Sequence, residues 1–192
     1  LVQAPRHAEP GKEGSRTILP RKTMLELGRL LAEGEGDIRF TRSDNHLFFV
    51  IDGRTLVSRV IDGQFPAYER VIPKHNDKRI EFERDRLLSA VRRVALLSNE
   101  RSRAVKLTLE AGHVDVASHS SEFGEAHEQI AVEYGGSALQ ISFNAQYVLD
   151  FLGAVQSDVV SMDLKDETSQ TIMRPVGTTD YEYTYVVMPM RI

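Results

Sequence analysis

The period of the apolar positions changes three times along the chain, each time in the same order. A short alternating run gives way to a helical stripe, and several alternating runs separated by turn residues follow. The first set opens with Thr17-Ile18-Leu19 and places Pro20 near a helix start, where its missing N–H costs nothing. Met24, Leu25, Gly28, Leu31 and Ala32 form an apolar stripe opposite Lys22, Glu26, Arg29 and Glu33, and Gly34 and Gly36 end the helix. Strands are expected at 37–42, 46–52 and 54–61, with Asp52-Gly53 as a tight hairpin turn. The second set opens with Arg79-Ile80-Glu81-Phe82, takes Asp85 as helix cap, and buries Leu87, Leu88, Val91, Val94 and Ala95. Its strands fall at 103–110, 112–118 and 126–133, with Ala111-Gly112 as the first turn. The third opens with Leu139-Gln140-Ile141-Ser142-Phe143, is capped by Asn144, buries Val148, Leu149, Leu152 and Val155, and continues in strands at 159–165, 170–175 and 182–190.

Each helix is too short to cover a sheet alone, so these strand–helix–three-strand units are expected to pair and share a core, giving an α+β fold. The second and third make one complete domain, 78–192. The first, with the two-proline segment Phe65–Pro73 as linker, makes residues 1–77 the second half of a preceding domain. Residues 3–16, rich in Pro, Gly and charge, read as an exposed loop. The chain begins at Leu1 and runs directly into polar sequence, which reads as a fragment.

With 192 residues the chain is long enough for a real core. It has no Cys, which excludes disulfides and Cys-based metal sites and fits a reducing cytoplasm. No apolar run reaches membrane-spanning length, so no membrane partner is expected. The net charge of −4 argues against a generic nucleic-acid binder, although an acidic protein can carry one basic face.

Catalytic chemistry finds little support. There is no Gly-rich phosphate loop ending in Lys-Ser or Lys-Thr and no Gly-x-Ser-x-Gly elbow. His119 beside Ser120 is a neighbour pair whose side chains point to opposite faces of a strand. His127 and Glu128 lack a second ligand at helical spacing, so no metal and no cofactor is expected.

Several segments resemble bacterial DNA polymerase sliding clamps. Val60-Ile61-Asp62-Gly63-Gln64-Phe65-Pro66-Ala67-Tyr68 is similar to the segment before their last domain, and Leu96-Leu97-Ser98-Asn99-Glu100-Arg101-Ser102-Arg103-Ala104-Val105 to the end of that domain's first helix and the loop that follows. Tyr185-Val186-Val187-Met188-Pro189-Met190-Arg191-Ile192 closely matches their C-terminus, and Ile18–Lys22 and Phe143–Leu149 also match. A short insertion lies around Thr178–Glu182.

The resemblance implies the DNA clamp fold, with helices lining a ring and antiparallel sheets outside. It implies a processivity factor that is not an enzyme, an accessory subunit of the replicative polymerase. Such a protein is cytoplasmic, encircles duplex DNA without reading its sequence, and is a homodimer at full length; this chain alone is not expected to close the ring. Polymerase subunits, the clamp loader and repair proteins would dock short linear peptides in a pocket. Carried over by position, that pocket comprises Leu1, Pro66, Arg70, Val71, Asn144, Tyr147, Val186, Met188, Pro189, Met190 and Arg191. Taken without the resemblance, Val186 and Met188 read as strand core. Flexible, polarisable Met188 and Met190 suit a surface that accepts several ligands. Thr168 and Gln170 stand where many clamps carry small or apolar residues. Arg21, Lys22, Arg29, Arg86 and Arg92 are the DNA-facing candidates, each of which also reads as a solvated helix position. Arg93, Leu96 and Leu97 are the dimer-interface candidates, because Leu96 falls off the apolar stripe among Ser89, Arg92 and Arg93. Two other classes compete: a DNA-processing domain with a carboxylate-bound metal, and a peptide-binding adaptor that never meets DNA.

Overall fold

In the computed structural model, residues 2–3, 17–177 and 182–191 are described. They fall into two compact units, His7–Ala67 and a larger one formed by Leu1–Arg6 with Tyr68–Ile192.

In the smaller unit, α1 (Arg21–Glu33) precedes three antiparallel strands, β2 (Arg39–Ser43), β3 (His46–Ile51) and β4 (Arg54–Arg59). The β3–β4 turn is Asp52-Gly53, both residues at positive φ (47° and 73°), the backbone that a tight two-residue hairpin demands. Leu27 of α1 packs with Leu47, Phe49 and Ile51 of β3. The helix face on the sheet is not the one expected. Thr23 and Leu27 are buried, whereas Met24, Leu25 and Leu31 are exposed. A hydrogen bond between the hydroxyls of Thr23 and Ser58, 2.7 Å and buried, explains the orientation: two polar groups satisfy each other inside the contact, so a face that reads as mixed becomes the inner one.

The larger unit contains β5 (Lys78–Glu83), α2 (Arg84–Ala95), β6 (Ala104–Glu110), β7 (His113–Ser120) and β8 (Gly124–Ala131), then β9 (Leu139–Asn144), α3 (Ala145–Ala154), β10 (Val159–Leu164), β11 (Thr171–Val176), β12 (Glu182–Tyr183) and β13 (Tyr185–Val187). The two strand–helix–three-strand units exchange their first strands. β5 pairs with β10 of the other unit, giving the sheet order β13-β11-β10-β5, and β9 pairs with β6, giving β8-β7-β6-β9. This exchange makes one core of two units. Leu87, Val91 and Val94 of α2, Val148, Phe151 and Leu152 of α3, and inward residues of both sheets form a single cluster. β1 (Val2–Gln3) pairs with β12.

Three details differ from the sequence reading. β5 runs into α2 without a linker, so Glu83 occupies the cap position and Asp85 lies in the first helical turn, where its charge suits the helix dipole. The last expected strand is two short ones, interrupted at Thr184 and finished before Met188. Phe151, outside the expected stripe of α3, is fully buried, while Leu149 is only half-buried. The short insertion expected around Thr178–Glu182 falls mostly outside the described residues. The main stretch of the larger unit begins at Tyr68 and not at the expected 78, and the side-chain amide of Asn76 fastens this leading segment by donating to the carbonyls of Asp163 (2.8 Å) and Gln170 (3.0 Å).

Candidate functional site

The C-terminal segment joins the two sheets of the larger unit. β13 is the edge strand beside β11, with Ile172 opposite Val186. Side chains alternate, so Val187 enters the core and Val186, half-buried, faces the other way. Beyond Val187 the chain leaves the sheet, and the Met190 N–H donates to the carbonyl of Ser142 on β9, 2.7 Å away. Met188 between these two anchors is 58% exposed. A large flexible side chain held on a fixed backbone is suited to meeting an apolar partner.

β9 and α3 bring Asn144 and Tyr147 to the same end. Asn144 caps α3, its Oδ1 accepting from the Gln146 N–H at 2.9 Å. Tyr147, in the first turn, is exposed. Beneath lies an aromatic group in which Phe151 meets Tyr183 and Tyr185, both at 5.5 Å between ring centroids. Burial pushes the Tyr185 phenol above its ordinary pKa, and the nearby Asp150 carboxylate adds to the shift. Arg70 closes the 3-10 turn Tyr68–Arg70, and Val71, whose N–H donates to the Tyr68 carbonyl at 2.9 Å, is exposed. Pro66 belongs to the smaller unit, and Leu1 lies outside the described residues.

A groove of about 1070 Å³ runs from Met190 and Arg191 across the outer face of β6, β7 and β9, over Ala104, Lys106, Ala117 and Ser142. Its rim includes Thr168, in a loop tied by Asp166. That carboxylate accepts from the Thr168 N–H (2.9 Å) and the Ser169 N–H (2.7 Å) and from both hydroxyls. The Thr168 N–H foremost, then the Ser169 hydroxyl and N–H, holds Asp166 far below the usual carboxylate range.

At the end of α2, Leu96 is 78% exposed and Leu97 half-buried. The Ser118 hydroxyl donates to the Val94 carbonyl (2.6 Å), fixing this helix end to β7. Arg93 makes a two-pronged pair with Glu128 of β8; Nη2 lies 2.6 Å from Oε2, and Nε contacts Oε1. The pairing raises the Arg93 pKa and lowers that of Glu128. β8 is an edge strand of its sheet. Among the described residues Arg21, Lys22, Arg86 and Arg92 are exposed and make no ion pair, whereas Arg29 lies 3.4 Å from Glu26 and 3.8 Å from Glu33.

Two family models match in succession, the DNA polymerase III beta subunit central domain over residues 4–67 and its C-terminal domain over 69–191. The chain belongs to the DNA polymerase III beta subunit family. The beta sliding clamp of Pseudomonas putida is 41% identical over 177 residues, 92% of this chain and 48% of that protein. That of Escherichia coli is 37% identical over 175 residues, 91% of this chain and 47% of that one. Solved sliding clamps are similar in fold. One from Bartonella birtlesii bound to griselimycin gives a TM-score of 0.91 at 36% identity, covering all of this chain and 51% of that one. One from Pseudomonas aeruginosa, also bound to griselimycin, gives 0.87 at 38% identity, covering 96% and 50%. The chain spans about half the length of the curated relatives it matches. Its α+β architecture is the DNA clamp fold of this family.

Of the residues singled out from sequence, the fold gathers Asn144, Met190 and Arg191 around β9, with Val186, Met188 and Pro189 on the strand and turn that lead there. The groove over β6 and β7 is a feature that the sequence reading missed. Its signal was present as alternate positions, Ala104-Lys106 and Ala117-His119, on strands whose other face is buried.

Proposed function

We propose that this chain contributes to a ring-shaped processivity clamp of bacterial DNA replication, an accessory subunit of DNA polymerase III with no active site of its own. The succession of central-domain and C-terminal-domain matches over nearly the whole chain carries this reading. In the assembled homodimer the helices line a hole around duplex DNA and the sheets form the outer wall. Arg21, Lys22, Arg86 and Arg92 meet phosphates there, which position a protein without reading sequence. Arg29 contributes less, because two glutamates already balance its charge. Arg93, Leu96 and Leu97 belong to ring closure, with Glu128 holding Arg93 in place. The setting is the cytoplasm.

Polymerase subunits, the clamp loader and repair proteins dock through short apolar peptides on Val186, Met188, Pro189, Met190 and Arg191 beside Asn144 and Tyr147, with Arg70 and Val71 of the same unit contributing. The exposure of Met188 on an anchored backbone supports this assignment. The test is a fluorescence-polarisation titration of a labelled Gln-Leu-x-Leu-Phe peptide against the chain and against a version ending at Val187. Saturable binding that disappears on truncation is expected. Binding that survives truncation, or no binding to the longer chain, contradicts the assignment.

A further inference from the structure

The strand register explains why the outer face of the sheet β8-β7-β6-β9 is hollow. Lys106 of β6 stands opposite Ala117 of β7 on one side and Ser142 of β9 on the other. Ala104, two residues along β6, shares the outer face and stands opposite Asn144. Small side chains around one long one leave about 1070 Å³ open above the sheet. The same groove takes in Met190 and Arg191, so it is continuous with the segment proposed to dock partner peptides.

We propose that this groove receives the residues flanking a docked partner peptide and selects a flank rich in aspartate or glutamate, with Lys106 as the specificity-determining residue; this rests on the docking reading above and extends it. Lys106 and Arg191 are exposed and make no ion pair among the described residues. The carboxylates around Lys106 have other partners or face water. Glu125 lies 3.2 Å from His119 Nδ1 and 3.4 Å from His127 Nε2. Asp115, diagonally across from Lys106 in the ladder, lies 3.3 Å from His127 Nδ1. Glu167, beside Thr168, is exposed. One cation at the docking segment and another in the floor beyond it therefore mark a path for a chain of carboxylates.

The rest of the lining suits an extended polar flank. Asn99, Ser102 and Gln140 offer neutral donors and acceptors to a peptide backbone. An apolar flank gains little, because the side chains between Lys106 and the rim are small or polar. Ion pairs open to water are individually modest, so the expected gain from an acidic flank is about fivefold. It should fall as salt rises, since ions screen exposed charges.

The test is a fluorescence-polarisation titration of this chain with labelled Gln-Leu-x-Leu-Phe peptides, bare or extended at either end by a short run of aspartates or of serines. Circular dichroism verifies that each variant is folded. One of the two aspartate-extended peptides should bind about fivefold tighter than the bare one at low salt. Lys106→Glu should abolish that gain, Lys106→Arg should keep it, and high salt should remove it. The bare peptide reports on the docking site itself: if it does not bind, the docking reading fails and the groove assignment with it. Binding of the bare peptide with no gain from either aspartate flank overturns the groove assignment alone. So does a gain that serines match, or one that persists in Lys106→Glu.

Discussion

Single side chains decide how the candidate pocket is held. Asn144 has a mechanical role in addition to any contact with a partner: its Oδ1 takes the Gln146 N–H that α3 would otherwise leave unpaired. Asn144→Ala is expected to lower stability by about 1 kcal/mol in urea unfolding, and Asn144→Asp to restore most of it, since Asp caps equally well. Asp166 predicts a pH effect of definite sign. Hydrogen bonds depress its folded pKa, so the stability they confer is complete above the usual carboxylate range and fades as pH falls toward the depressed value. Carbon-detected NMR should find Asp166 still ionised at pH 3, where an ordinary aspartate is mostly protonated. Asp166→Ala should unfasten the Thr168–Ser169 turn at the groove's rim.

Hydrophobic period reveals elements more readily than it reveals partners. The helices and most strands were legible because turn chemistry and apolar spacing agreed, as at Asp52-Gly53 and along Leu87, Val91 and Val94. The exchange of β5 and β9 between units was not, since alternation says which face of a strand is buried but not which strand lies beside it. The inward face of α1 was misread because its contact includes the Thr23–Ser58 hydrogen bond, and polarity alone marks such a position as outer. The candidate pocket was read through family likeness, not from hydrophobic period; the groove over β6 and β7 was hidden because its residues meet across strands and not along one element. The exposed face of α1 has a measurable consequence. Met24, Leu25 and Leu31 present apolar surface that water disfavours. The chain should therefore bind a hydrophobic dye such as ANS in its folded state, and Met24→Ser with Leu31→Ser should reduce the fluorescence by about half or more without loss of secondary structure.

At the scale of the whole chain, charge is unevenly spread among the elements. Net charge is −4, yet α2 alone carries Arg84, Arg86, Arg92 and Arg93 against a single acid, Asp85. Two of these are balanced, Arg84 by Asp85 and Arg93 by Glu128, so Arg86 and Arg92 are the cations of α2 without an ion pair among the described residues. No helix is long and apolar enough to cross a membrane. The central claim is that partner peptides are received where the C-terminal segment passes from β13 to β9. Hydrogen exchange with and without a saturating Gln-Leu-x-Leu-Phe peptide tests that claim most directly. Slowed exchange at Tyr185–Arg191 and at Asn144–Val148, with β6–β8 unchanged, is the predicted result. Protection confined to the groove over β6 and β7, or no change at the C-terminal segment, would contradict it.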